Sequence, residues 1–397
     1  MPTLLFYAAF AIGEAACIVY AINIFHSYPW RVRWTERATL VALAVLGVVS
    51  AELTRRYWMT PVSEWPPALV AFAAGCCLMA LVVLPAATFA RARRMRRSGS
   101  VEGERRDSLL QDPPESYVGG GRHAWMLRLP GNTSRNLESR DWSVPIAALP
   151  EELDGLSILH LTDLHFSRAY SRRYFEAVFA AAADMPADMV CVTGDLIDDP
   201  ECIEWIEPLL SGLRGPFGRF AILGNHDHHH DVDAIAAAIA AAGYETLDGH
   251  VVTTEIQGRR LAIGGTCAPW GPGIPDDAIP HADFSLLLSH TPDLVYKSAR
   301  QGWDFILAGH NHAGQVRLPV VGPLLMPSLY SRRFEHGFFR VPPALMYVGQ
   351  GVGCKHPIRY GCHPEIARFT LRCVPPVAPR ARIARDRAVV EPIYQES

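Results

Sequence analysis

Three apolar runs occupy the first quarter of the chain, and short apolar runs alternate with helical periodicities through most of the rest. Residues 4–25 are apolar apart from Glu14 and Asn23. Residues 38–51 form a second, shorter run, and residues 67–90 a third that carries no charge. About 20 apolar residues span the hydrocarbon core of a bilayer, so the first and third runs predict transmembrane helices. The second crosses only if Trp34, Thr35, Glu52 and Leu53 sit in the interfaces; otherwise it is a short interfacial or buried helix. The pattern therefore allows two spans or three within residues 1–90. The opening "MPTLLFYAAF" has no basic segment, and three runs follow one another, which argues against a cleaved signal peptide.

Residues 91–121, rich in charge, Ser and Gly, read as a basic flexible linker. From residue 122 the texture changes. "HAWMLRLP" alternates like an edge strand, and "SILHLTDLH" is an apolar run ending in a polar turn. "RRYFEAVFAAAADM" has Phe175, Val178 and Phe179 on one helical face. "ADMVCVTGDLIDD" and "GRFAILGNHD" repeat the layout of strand and polar turn. "IEWIEPLLSGL" and "DVDAIAAAIAAAGY" read as helices, while "RRLAIGGT", "FSLLLSHTPD" and "DFILAGHNHAG" read as strands. Strands alternating with helices predict an α/β domain over residues 122–373, followed by a basic tail at 374–397.

Charge orients the apolar runs. Arg31, Arg33 and Arg37 follow the first, only Arg55 and Arg56 the second, and Arg91, Arg93, Arg94, Arg96 and Arg97 the third. Basic residues mark the cytoplasmic side, so the expected arrangement is a multi-pass inner-membrane protein with its large C-terminal part in the cytoplasm. The nine cysteines are scattered without a CxxC pair, which suits a reducing compartment. A formal net charge of −3 gives no argument for nucleic acid. Beside a membrane, the basic runs "RARRMRR" and "PRARIARDR" favour anionic lipid as partner, or simply serve as a solvated topology signal.

Five strands end in polar clusters: "TDLH", "TGDLID", "LGNHD", "LSH" and "AGHNHAG". In α/β sheets ligands bind beyond the carboxyl ends of strands, so clusters far apart in sequence can converge on one edge. Together they supply Asp163, His165, Asp195, Asn225, His226, Asp227, His290, His310 and His312. Imidazole, carboxylate and one amide carbonyl suit Mn, Fe, Zn or Co better than Mg or Ca. The groups are too many for one ion and about enough for two. A pair of ions roughly 3.5–4 Å apart is the usual clamp for phosphoryl hydrolysis. A carboxylate must bridge them, the pair lowers the pKa of a shared water, and an uncoordinated imidazole can protonate the leaving oxygen.

These clusters resemble the calcineurin-like metallophosphoesterases, whose pattern is D-x-H, G-D-x-x-D, G-N-H-D/E, a lone H, and G-H-x-H. The chain has "DLH" at 163, "GDLID" at 194, "GNHD" at 224, "SH" at 289 and "GHNH" at 309, all in order. The resemblance implies a four-layer α/β/β/α sandwich and two divalent metal ions, with Mn first among the candidates. It implies that Asp163, His165 and His312 hold the first ion, that Asp195 bridges, and that Asn225, His290 and His310 hold the second. His226 would be the imidazole near the leaving group, with Asp227 orienting it and Asp198 outside the ligand set. Gly309 and Gly314 would let the last loop approach closely. Arg172 and Arg173, just past the first motif, and Arg359 in "HPIRYGCHPEI" are candidates for phosphate contact; Tyr170 lies beside them. The run His228, His229 and His230 reads as a solvated loop, as positive charge added to the pocket, or as a site of adventitious metal binding.

Downstream, "AGQVRLPVVGPLLMPSLY" and "YVGQGVGCKHPIRYGCHPEI" resemble the bacterial membrane-associated branch of this superfamily, although Ala313 stands where many relatives have Gly. That branch includes phosphodiesterases and a pyrophosphatase acting on UDP-2,3-diacylglucosamine in lipid A synthesis. The expectation is a phosphodiester or pyrophosphate hydrolase working on a lipid-linked nucleotide. The alternatives are a broad phosphodiesterase or phosphomonoesterase on soluble substrates, and a membrane-anchored sensor that only binds its ligand.

Overall fold

A computed structural model describes residues 2–27, 32–57, 60–97, 101–107, 110, 112–147, 149–276 and 281–374. The basic tail lies almost wholly outside the described residues. The chain divides into two units. One comprises residues 1–97 with 319–333; the other comprises 98–318 with 334–397.

In the first unit the apolar runs are helices: α1 (Pro2–His26), α2 (Val32–Tyr57), α3 (Pro67–Leu78) and α4 (Leu84–Arg97). Pro67 opens α3 at its first turn, where the missing N–H costs nothing. A π-helical turn, Met79–Val83, joins α3 to α4 just before Pro85. Proline removes one helical hydrogen bond and crowds the carbonyl four residues back, and the wider turn accommodates both. Phe6 meets Trp65 at 5.8 Å between ring centroids, and Phe10 meets Phe72 at 5.8 Å. Gly13 lies against the Cys76 carbonyl, where a Cβ would collide. Contacts that advance together in this way mean that α1 and α3 run parallel. In α2 the order is reversed: Tyr57 O accepts from the Tyr7 hydroxyl at 3.1 Å, and Ser50 Oγ donates to Glu14. The helices therefore run up, down and up.

Residues 319–333 join this unit. Met326 N–H donates to the buried Asn23 Oδ1 at 2.8 Å, and Arg91 Nη1 reaches Val320 O at 3.5 Å.

The second unit is a sandwich of two sheets. Its elements in chain order are β1 (Glu102–Asp107), β2 (Glu138–Ile146), β3 (Ser157–Leu161), α5 (Arg172–Ala183), β4 (Met189–Thr193), α6 (Ile206–Leu210), β5 (Arg219–Ile222), α7 (Val232–Ala241), β6 (Glu245–Thr246), β7 (Val251–Ile256), β8 (Arg259–Thr266), β9 (Phe284–Ser289), α8 (Val295–Gln301), β10 (Phe305–Ala308), β11 (Gly337–Val341), β12 (Ala344–Val348) and β13 (Glu365–Cys373). One sheet has the order β1-β2-β13-β3-β4-β5-β6, the other β11-β12-β10-β9-β8-β7.

Side-chain alternation builds the layers. Ile158, Met189, Cys191 and Ile222 face Ile263, Leu286, Leu288 and Leu307 in the core between the sheets. The intervening Leu159, Leu161, Val190 and Val192 pack with Phe175, Val178, Ile206 and Ile235 of α5, α6 and α7. On the second sheet, α8 packs on β11 and β12. Fully buried strands read as continuous apolar runs because both faces are covered.

Two sequence expectations are corrected. Residues 91–121 are not simply a linker: α4 continues to Arg97, and β1 pairs antiparallel with β2. Gly103 lets the β1 backbone cross close over the Trp142 ring. "HAWMLRLP" is not an edge strand; Ala124–Arg128 is a 3-10 helix that buries Ala124 and Leu127. The alternation there reflects two inward residues three apart.

Candidate metal centre

β3, β4 and β5 are mutually parallel, and so are β8, β9, β10 and β12. The five polar clusters therefore leave their strands at the same edge of the sandwich. Turning off a strand end sharply enough to aim side chains inward strains the backbone. Asp163, His165, Asp195, His310 and His312 all have positive φ, between 45° and 70°. L residues rarely adopt this region, and strain of this kind gathers at functional sites. The crowding is also steric: a Cβ on Gly224 would strike the Asp195 carboxylate, and one on Gly309 would strike Thr162 and Asp163. Close packing accounts for Gly309 as expected, while Gly314 supplies a positive φ of 77°.

Asp163, His165, Asp195 and His312 present ligand atoms within 4.8 Å of one another, and so do Asp195, His290 and His310. Asp195 belongs to both groups, with Oδ2 3.4 Å from His165 Nε2 and Oδ1 3.4 Å from His290 Nε2. His165 Nε2 and His312 Nε2 are 3.1 Å apart, and His310 Nδ1 is 3.2 Å from His290 Nε2. Asn225 Oδ1 sits 2.9 Å from His290 Nε2.

The tautomers show what this arrangement suits. His290 Nδ1 donates to Thr193 O at 2.9 Å, so neutral His290 turns a lone pair toward the Asn225 oxygen. In its neutral form His165, whose Nδ1 donates to Asp198 Oδ2 at 3.0 Å, likewise turns its Nε2 lone pair toward the cluster. Acceptors converging on acceptors are reconciled by cations between them. The donor set of imidazole, carboxylate and amide oxygen fits two divalent ions.

The electrostatics agree. Burial acts to raise the Asp195 carboxyl, but the imidazoles of His290, His226, His165 and His310 outweigh it and hold it below the usual range. Burial raises Asp163, with the Asp195 charge adding to it. Burial opposes protonation of His165, yet Asp198, Asp195 and Asp163 lift it to about 10. The pocket attracts positive charge, whether protons or metal.

Two roles differ from the sequence reading. Asp227 does not orient His226: its buried carboxylate accepts the backbone N–H groups of Leu196, Ile197 and Gly224 at 2.8–3.2 Å, tying the second motif to the third. The residue holding His226 is Asp198, whose Oδ1 accepts from His226 Nδ1 at 2.6 Å while Oδ2 holds His165. The clue available in the sequence was the three-residue spacing in "GDLID". Arg359 is also reassigned. It is fully buried, and its terminal nitrogens donate to the carbonyls of Gln350, His363, Gly351 and Gly353. With those hydrogens engaged, its 3.4 Å approach to His312 Nδ1 is a packing contact that braces the ring.

Arg172 pairs with Glu176, and Arg173 with Asp112 through two 2.7 Å bonds, so both guanidinium groups are engaged away from the metal residues. Tyr170 is buried beside Tyr174, with ring centroids 4.7 Å apart. His228 Nε2 lies 2.9 Å from Cys267 Sγ, and His229 is exposed. Trp270, which the sequence did not single out, leans over the second group with its ring 4.9 Å from that of His310.

Residues 156–314 match the family model described as calcineurin-like phosphoesterase. An uncharacterized metallophosphoesterase of Bacillus subtilis, YkuE, is 29% identical over 59% of this chain and 86% of its own. Phosphodiesterase YaeI of Escherichia coli is 28% identical over 57% of this chain and 86% of its own. A transmembrane protein with metallophosphoesterase domain from Danio rerio is 25% identical over 58% of this chain and 56% of its own.

Proposed function

We propose that the chain, whose residues 156–314 match the calcineurin-like phosphoesterase model, is a membrane-anchored hydrolase of a phosphodiester or pyrophosphate with two ions, Mn first among candidates. The carrying observation is the single carboxylate of Asp195 placed between two groups of ligands, with His226 at their margin. When bound, two divalent ions supply Lewis-acid charge compensation and a nucleophilic water at neutral pH. The side chains do the rest. Asp163, His165 and His312 fix one position, and Asn225, His290 and His310 fix the other. Asp198 accepts from His226 Nδ1, which leaves Nε2 as the atom to donate a proton to the leaving oxygen. His226 is the more open of the ring pair, at 23% side-chain exposure against 1% for His165.

The membrane reading rests on helix direction. Leu4–Phe25 and Pro67–Arg93 are long and apolar enough to cross. Because α1 and α3 pack in parallel, a chain crossing twice in one direction must return between them. Only α2 can do so, and its 26 residues reach about 39 Å at 1.5 Å each, against roughly 30 Å of hydrocarbon. We therefore place three spans. The more strongly basic ends of α1 and α4 then face the cytoplasm with the catalytic unit. A site tethered there suits a lipid-linked nucleotide such as UDP-2,3-diacylglucosamine.

The test is hydrolysis of bis(p-nitrophenyl) phosphate and of UDP-2,3-diacylglucosamine by metal-stripped protein to which Mn is restored. Asp195→Ala and His226→Ala serve as controls. Mn-restored release of UMP, lost in both variants, is the expected result. Cleavage of the artificial diester alone would remove the lipid substrate and keep the hydrolase. Absence of both in protein holding two ions would favour the ligand-binding sensor.

A further inference from the structure

We infer that residues 319–330 are a lipid-seated loop, held at the headgroup level by the apolar helices. The inference rests on the membrane reading above. "PVVGPLLMPSLY" has no charged residue, yet Val320 is 82% exposed, Leu325 52% and Leu329 43%. Exposed apolar side chains grouped on one short loop mark an interaction surface.

The occupant follows from where the loop is fastened. It belongs to the unit of apolar helices, not to the sandwich that precedes and follows it in sequence. Its Met326 N–H is bonded to Asn23, within three residues of the end of the apolar stretch Leu4–Phe25. Its Val320 carbonyl is reached by Arg91, within three residues of the end of the stretch Pro67–Arg93. Parallel helices put both ends on one side, where hydrocarbon gives way to headgroups. Apolar side chains at that level enter the acyl boundary, while Arg91 and Arg332 hold the loop through the Val320 and Val321 carbonyls. Asn23 is a polar residue within an apolar helix, and the loop amide satisfies it.

The consequence concerns substrate. Six residues separate His312 from Pro319 in the chain, so the connection to the loop can extend no further than about 25 Å. Such a site takes a phosphoester whose apolar part stays in the membrane, and the seated loop lowers the cost of presenting it.

The experiment uses the full chain in phospholipid nanodiscs, with a fluorescent amino acid at Val320 and, separately, at exposed Glu255 in the second unit. The Val320 probe should be quenched by nitroxide on the upper acyl chain and shielded from iodide, and the Glu255 probe the reverse. In a Val320→Asp, Leu325→Asp variant, KM for UDP-2,3-diacylglucosamine carried in the nanodisc should rise roughly tenfold, with bis(p-nitrophenyl) phosphate turnover unchanged. Iodide quenching at Val320 equal to that at Glu255 would overturn the proposal. Shielding from both quenchers would also overturn it, by pointing to a protein partner. Alkaline extraction of native membranes separates the two layers of the argument: release of the protein would remove the membrane reading and the loop with it, whereas retention with an aqueous Val320 probe would remove the loop alone.

Discussion

Asp198→Asn is the sharpest test of how the site is held. In the native protein two imidazole Nδ1–H groups converge on one carboxylate, His226 at 2.6 Å and His165 at 3.0 Å. Asparagine offers one oxygen and one NH2, so it can accept from only one ring and turns a donor toward the other. A hydrogen bond to a charged group is worth about 1.5–3 kcal/mol, which is roughly tenfold to a hundredfold in whatever depends on it. Burial decides which ring loses. His165 is 1% exposed and cannot turn to water, while His226 at 23% can. The amide oxygen therefore stays with His165, and His226 goes slack. The expected outcome is a kcat for bis(p-nitrophenyl) phosphate that falls on the order of a hundredfold, with both metal ions retained by elemental analysis. The pH profile adds a second readout. Burial works against the His226 cation, and the carboxylates of Asp195 and Asp198 more than offset it, raising the group. Without the Asp198 charge the imidazolium deprotonates at lower pH, so the alkaline limb moves toward acid. A kcat within about twofold of native with an unmoved alkaline limb would refute the reasoning, and so would loss of an ion with the pH limb unchanged.

Asp227→Ala should lower the melting temperature strongly, by removing the acceptor of three buried N–H groups at about 1–3 kcal/mol each; Asp227→Asn, which keeps one acceptor, should fall between, as scanning calorimetry in detergent would show. Arg359→Ala should destabilise by about 3 kcal/mol or more and depress kcat through a loosened His312, while a selective rise in KM with native stability would restore Arg359 as a substrate contact. His160 is buried, and that burial pushes its imidazole down to about 3 from an ordinary 6.5. Between those values the unfolded chain binds the extra proton, so stability falls as pH drops from about 6.5 toward 3. His160→Gln should flatten that slope in acid denaturation followed by near-UV circular dichroism.

Much of the site was legible because its chemistry is local. Each candidate ligand follows an apolar run directly, and a parallel sheet must deliver every such turn to one edge, so Asp163, Asp195, Asn225, His290 and His310 could be grouped from their places after strands. The partners of those ligands were not legible. Asp227 is adjacent to His226, yet its carboxylate turns back to three amides, because buried N–H groups compete for it more strongly than a neighbouring imidazole does. Asp198 is 28 residues away and reaches both rings only because β4 and β5 are neighbours. Arg359 looked like a free cation in a polar motif; burial and a nest of carbonyls make it a brace. The same division holds in the apolar unit. Composition fixed which runs are long enough to cross a membrane, since that depends on length and hydrophobicity alone. The direction of the second run between the first and third is a relation between residues far apart, such as Phe10 with Phe72 and Tyr7 with Tyr57. Only the packed tertiary structure carries that information.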